Sequence, residues 1–357
     1  MSTDPAGVPG AQVLSGQQPA VLFRADASSQ IGGGHVMRCL ALARALSGAG
    51  WHCTMACNEE TIDTITGLDE HGLEIVVTGE AQDAESLAGQ LDEEFELMVI
   101  DHYQLAADYH LACRRFTKNL LVIDELLNRQ LHCDFLLDQS PGRSVADYKN
   151  RVPQSCQLML GPRYALLRPV FAESRDASIK RRQDIERVER IIISFGASDI
   201  HKLSIEALRA IELVDYRRKV DVVLGGGSSN AIEIEEYAAV LDAEVTVHRQ
   251  TGSMEQLMMR ADLAIGGGGI SSWERCTLGL PALVVMEAGN QQANVAGLDD
   301  AGAAINMGLA TGVNSKIIAA HLEDILDDSK RLARMSLAAS TTCDGRGVSR
   351  VMDNLLQ

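Results

Sequence analysis

"ADLAIGGGGISSWERCTLGLPALVVME", residues 261–287, runs from an apolar strand into a glycine turn, then through a helical stretch to a second apolar strand. A strand that returns through a helix to another apolar strand is the unit from which parallel sheets are built, with helices on both faces. The pattern extends outward in both directions. Upstream lie "IIISFG" (191–196), "VDVVLGGG" (220–227) and "AEVTVH" (243–248), separated by helix-period segments. In the first half, strands are expected at Val21–Arg24, His52–Ala56, Glu74–Val77, Leu97–Ile100 and Leu120–Ile123, with another near Phe135. Amphipathic stretches such as Val36–Ser47 and Ala84–Leu91 fall between them.

The chain has 357 residues, more than one ordinary core accommodates, and two domains are expected. The charged segment "ESRDASIKRRQDIERVER", residues 173–190, divides them as a solvated helix or linker. The expected organisation is a flexible tail over 1–20, a first domain over 21–172, the linker, and a second domain over 191–357 with closing helices. The fold class is α/β, two Rossmann-like doubly wound domains facing a cleft. Ligands of such sheets bind at the carboxyl ends of the strands.

Thirty-two Lys and Arg stand against 49 Asp and Glu, a formal charge of −17. So acidic a surface repels phosphate backbones and anionic lipid, and argues against nucleic-acid or membrane partners. The eight cysteines form no C-x-x-C pair and read as small buried hydrophobes of a reducing cytoplasm. The N-terminus lacks a basic start and an apolar core, so no secretory signal is expected, and no apolar run is long enough to span a membrane.

Three expected strands run into glycines: Gly32–Gly34, Gly225–Gly227 and Gly266–Gly269. None completes a dinucleotide fingerprint, because Met37, Asn230 and Ser271 occupy the position of the third glycine. No Walker sequence is present. A glycine turn opening a helix still offers free N–H groups and the positive end of a dipole to an anion. "GGGGISSWERC" has that form, with Ser271 and Ser272 placed to cap the helix or bind a phosphate oxygen.

"FRADASSQIGGGHVMRCLALA", "ELMVIDHYQL", "HCDFLLD", "RYALLRPVF", "SFGASDIHKLS", "GGGGISSWERCTLGLPALVV" and "GNQQAN" together resemble the UDP-sugar hydrolases of pseudaminic acid biosynthesis, from about Val21 to at least Asn294. The resemblance implies the GT-B fold of the MurG-like glycosyltransferases. It also implies hydrolysis of a UDP-2,4-diacetamido-2,4,6-trideoxy sugar, with water displacing UDP at the anomeric carbon and inverting it. No cofactor and no metal are implied. The resemblance makes His35 the base for the attacking water, places Tyr103 and Asn290 around the sugar or its phosphate, and gives Glu274 the ribose hydroxyls. Gly33, Gly34, Gly196, Ser198, Gly268, Gly269 and Gln291 complete the expected substrate contacts. The family often carries a basic residue two positions after its histidine. Here that position is Met37, with Arg38 next.

The residues themselves support part of this. A histidine at a helix N-terminus is held in the neutral form that a base requires, and the glycines before it leave room for a sugar ring. Donors placed in advance where negative charge develops on the leaving diphosphate stabilise the transition state. Asp101 has two readings, an orienting partner of His35 or a sugar hydroxyl on one side and a plain cap on the other. Asp26 and Arg24 read as supports of the first glycine turn. The preferred function is a cytoplasmic hydrolase, a monomer or weak homodimer, whose partner is its UDP-sugar. The nearest rival is a MurG-like glycosyltransferase using the same donor.

Overall fold

In the computed structural model, seven parallel strands form the first sheet: β1 (Ala20–Ala25), β2 (His52–Cys57), β3 (Glu74–Val77), β4 (Phe95–Asp101), β5 (Thr117–Ile123), β6 (Phe135–Asp138) and β7 (Gln157–Leu160). Their order is 3-2-1-4-5-6-7. Six more form the second: β8 (Arg190–Ser194), β9 (Lys219–Leu224), β10 (Glu244–Arg249), β11 (Leu263–Gly267), β12 (Ala282–Met286) and β13 (Ala304–Leu309), in the order 10-9-8-11-12-13. Each sheet reverses its strand order beside its first strand, the topological switch point of the doubly wound fold. The structure describes residues 18–356 except 29, 66, 80–83, 197, 198, 227 and 229. The expected tail therefore lies almost wholly outside the described residues, and Ala20 already belongs to β1.

Both faces of each sheet are covered, which is why the strands read as continuous apolar runs rather than alternating ones. Along β1, Val21, Phe23 and Ala25 join one core with the helix Gly34–Gly48, while Ala20 and Leu22 join another with Leu87, Tyr109 and Phe116. The second sheet divides in the same way, Ile191 and Ile193 to one side and Ile192 to the other.

Two strands escape the sequence reading, β7 and β13, and both are sheet edges. β7 has four residues, and β13 carries Asn306 and Gly308 and shifts register against β12. An edge strand pairs on one side only, so its sequence need not be continuously apolar.

The segment 173–190, expected as a solvated helix or linker, is helical as far as Arg182 within the helix Pro169–Arg182, and the second domain holds it firmly. Arg175 donates to the carbonyls of Thr277 (2.8 Å), Cys343 (3.0 Å) and Ser340 (2.6 Å), and Arg182 to those of Met258 (2.7 Å) and Ala261 (2.8 Å). Its charge serves carbonyl capture across a packed surface, which composition alone reads as solvation. At the other end, the helix Gly347–Leu355 returns to the first domain. Val348 and Val351 enter its core, and Asn354 accepts from Gln157 at 2.6 Å. No described helix is long and apolar enough to cross a membrane. The eight cysteines are all free, seven buried and Cys156 half-buried.

Candidate active site

The carboxyl ends of the two sheets face a cleft of about 690 Å³, within the range of small-molecule sites. Its first-domain wall starts at the turn after β1. Gly32 adopts φ +72°, a left-handed conformation that side chains other than glycine rarely take, and its N–H returns to the Ser28 carbonyl at 2.9 Å. The turn delivers the chain into the helix Gly34–Gly48, whose Val36, Cys39, Leu40 and Leu42 are buried. His35 and Arg38, three apart, therefore share the face that looks toward the end of β4. There Asp101 pairs in register with Ala25 of β1, at the switch point of the sheet.

His35 Nδ1 and Asp101 Oδ1 are 2.6 Å apart, and Asp101 is fully buried. Arg38 grips the same carboxylate through Nε and Nη2, the latter at 2.6 Å. It also reaches Glu125 beyond β5, Nη1 to Oε1 at 3.1 Å and Nη2 to Oε2 at 3.2 Å. Tyr103 donates its hydroxyl to Glu125 Oε1 at 2.6 Å and sets its ring edge-on to His35, with centroids 4.5 Å apart. From the second domain, Asn290 Nδ2 donates to the Tyr103 hydroxyl oxygen at 2.9 Å. Burial works against the charge of Asp101, yet Arg38 and His35 hold its carboxyl well below the ordinary carboxylate range. Burial, with Glu125 next, pushes the Tyr103 phenol far up, so it remains a donor. One guanidinium thus faces two carboxylates, and a proton arriving on His35 neutralises the cluster. The Asp101 contact occupies Nδ1, and Nε2 has no hydrogen-bond partner among the described residues, while the ring lines the cleft. Arg38 belongs to this buried network, whereas Met37 is 40% exposed at the rim.

Of the expected contacts, Gly33, Gly34, His35, Tyr103, Gly196, Gly269, Ser271, Asn290 and Gln291 line the cleft. Ser198, like Gly227, lies outside the described residues. Three of the expected contacts stand back from the cleft wall. Gly268 does not line the cleft, and its N–H is already engaged by the Val285 carbonyl (3.1 Å) and Gln291 Oε1 (3.2 Å). A Cβ at Gly268 would run into Val295, so glycine there serves close packing. Ser272 turns inward and accepts from Arg275 Nη2 at 2.9 Å, because neighbours on a helix point about 100° apart and Ser271 takes the cleft side. Glu274 sits half-buried outside the lining set with no hydrogen bond among the described residues, and burial pushes its carboxyl up to about 7. Gln291 lines the cleft, but its Oε1 also accepts the Glu287 N–H at 2.9 Å, so it braces the loop after β12.

The sequence reading missed Glu125, Asp199 and Glu287, all in the cleft wall. Each follows a strand of its sheet, the position that the carboxyl-end rule marks, and that rule applied strand by strand would have found them. Beside the His35–Asp101 cluster, His102 bonds Asp26 (3.1 Å) and Asp124 bonds Arg129 (3.1 Å). No three His, Cys, Asp or Glu side chains among the described residues gather where they could hold a metal ion. Arg24 clasps Asp26, which in turn accepts the Asn58 N–H at 2.8 Å and ties the loop after β2 to that after β1.

Comparison with known proteins agrees with this architecture. The model of the glycosyltransferase family 28 C-terminal domain matches residues 192–351. The UDP-2,4-diacetamido-2,4,6-trideoxy-β-L-altropyranose hydrolase of Campylobacter jejuni is 31% identical over 220 residues, covering 61% of this chain and 74% of the relative. The spore coat polysaccharide biosynthesis protein SpsG of Bacillus subtilis is 26% identical, covering 92% of this chain and 95% of its own. Among solved structures, MurG of Acinetobacter baumannii superposes with a TM-score of 0.67 at 17% identity, covering 95% of this chain and 99% of that one. The spinosyn forosaminyltransferase SpnP gives 0.59 at 14% identity, covering 96% and 100%, and these two show the fold alone. The chain thus has the GT-B arrangement of two Rossmann-like domains and belongs to the family of the UDP-2,4-diacetamido-2,4,6-trideoxy-β-L-altropyranose hydrolases.

Proposed function

We propose that this protein hydrolyses a UDP-activated 2,4-diacetamido-2,4,6-trideoxy sugar to the free sugar and UDP. Family membership supports the coarser part, an enzyme acting on UDP-sugars. The observation that carries the finer part is the His35–Asp101 pair on the cleft wall, with the second ring nitrogen unengaged. In the proposed step, Nε2 of His35 takes a proton from water as the water oxygen attacks the anomeric carbon. The bond from that carbon to the diphosphate oxygen breaks, its electron pair leaves with UDP, and the configuration inverts. Asp101 holds the ring and balances the imidazolium as it forms. Ser271 and the backbone around Gly269 face the departing phosphate, and no metal takes part. The reading has the enzyme cytoplasmic, as a monomer or weak homodimer, with no nucleic-acid or membrane partner.

The match to a family 28 glycosyltransferase domain favours one second reading, transfer of the same sugar to a hydroxyl acceptor. Incubation with UDP-diacetamido sugars in ¹⁸O-water with EDTA present separates the two. The proposal requires label in the released sugar. Label in UDP, or no turnover until an acceptor alcohol is added, would refute it. His35→Ala should lower turnover by about 10²- to 10⁴-fold, the worth of a general base, while UDP binding stays within about twofold.

A further inference from the structure

We propose that Glu125 is a positioning residue of the catalytic apparatus: it joins Tyr103 to Arg38 and supplies the second negative charge that lets His35 accept a proton. The inference rests on the reading of His35 as the base and deepens it.

Glu125 takes three hydrogen bonds from two side chains of the site. Arg38 approaches with both terminal nitrogens, Tyr103 with its hydroxyl. Its side chain is 9% exposed, and its carbonyl oxygen is fixed by Arg143 Nη2 at 2.7 Å, which itself pairs through Nε with Asp138 at 2.8 Å. The carboxylate is therefore held from both ends. A chain of contacts runs without a break from the second domain to the imidazole: Asn290 to Tyr103, Tyr103 to Glu125, Glu125 to Arg38, Arg38 to Asp101, Asp101 to His35. Asn290 thereby ties the Tyr103 ring, edge-on to His35, to the second domain.

The electrostatic part follows from the charges facing the imidazole. These are Asp101 from β4, Arg38 from the helix of His35 itself, the neutral phenol of Tyr103 and, behind Arg38, Glu125. Asn290 from the second domain is uncharged. Without Glu125, Arg38 and Asp101 compensate each other and an imidazolium stands as an uncompensated charge in a partly desolvated place. The base is then weaker, and a residue that merely fills space would not produce this result.

Glu125→Gln keeps the shape and an acceptor for Tyr103 while removing the charge. Its kcat for UDP release should fall about 10-fold with KM within about threefold. The acid limb of its kcat–pH profile should move to lower pH by about one unit, since removing a negative charge disfavours the protonated base. Glu125→Asp keeps the charge and should leave the limb in place. In Tyr103→Phe, adding Glu125→Gln should cost less than the product of the two separate losses, because the two residues act through one chain. An unmoved limb in Glu125→Gln, or multiplicative losses in the double variant, would overturn the role given to Glu125. If Glu125→Gln does not fold, a displaced limb in Glu125→Asp overturns it as well. Full turnover by His35→Asn would instead defeat the underlying reading, so the two failures are told apart.

Discussion

The two domains repeat one topology and line the cleft with different residues. In each, the switch point lies between the first and fourth strands of its sheet, and in each a glycine turn leads into a helix there. At the first domain's switch point, Asp101, His35, Arg38 and Glu125 form a charged, nearly dry cluster. At the second, the cleft is faced by Gly196, Gly269 and Ser271, while Arg275 and Ser272 turn inward to each other. The strands therefore decide where a ligand goes, and the residues just past their ends decide what happens to it. In the proposed reading the first domain holds a proton, and the second offers neutral donors to an anionic group beside the acids Asp199 and Glu287.

The largest effect should come from breaking the first cluster. Asp101→Asn removes the charge that Arg38 and His35 share, leaving the ring without its anchor. We expect kcat to fall by about 10²-fold or more, and urea denaturation to show a loss of about 3–5 kcal/mol, typical of a broken buried pair. An Asp101→Asn enzyme with parental kcat would erase the contrast between the domains.

An intermediate effect tests the second domain. Ser271→Ala removes a single cleft-facing hydroxyl that the proposal sets toward the departing phosphate, worth about 1 kcal/mol, so kcat/KM should fall about fivefold. An unchanged kcat/KM would mean that Ser271 does not face the leaving group.

The smallest effect sharpens the comparison by pH. Burial, with the charge of Asp199 adding to it, pushes the Glu287 carboxyl up to about 7 from an ordinary 4.5. A carboxyl raised on folding binds more protons in the folded state, so stability falls as pH climbs between those two values and is constant beyond them. Glu287→Gln cannot titrate, and its Tm should decline less than the parent's, by a few degrees, between about pH 5 and about pH 8. Parallel Tm curves for parent and variant would show that Glu287 is not the group responsible.

Much of this was legible before the fold. Apolar or β-branched runs marked eleven of the thirteen strands, nine of them interior strands that must be apolar on both faces and two of them the edges β3 and β10. The edges β7 and β13, short or interrupted by Asn306 and Gly308, went unseen. His35 was legible from three glycines and a helix start. Glu125 was not, since "LLVIDE" shows an acid after a strand and nothing about the arginine waiting 87 residues upstream. Ser271 and Ser272 are chemically identical in the sequence and both accept from Arg275, and only the helix's rotation puts Ser271 on the cleft wall and buries Ser272.

By itself the sequence determined the class, the two-domain plan, the glycine turns and the helix start that carries His35, because these follow from local periodicity and backbone conformation. The tertiary structure alone decided that Asp101 orients His35, that Glu125 and Arg38 complete the cluster, and that Asn290 reaches across from the other domain. It also decided that the charged helix Pro169–Arg182 is anchored to the second domain and that the last helix returns to the first. Hydrogen bonds and ion pairs act over about 3 Å, and residues far apart in the chain come that close only once the sheets are assembled.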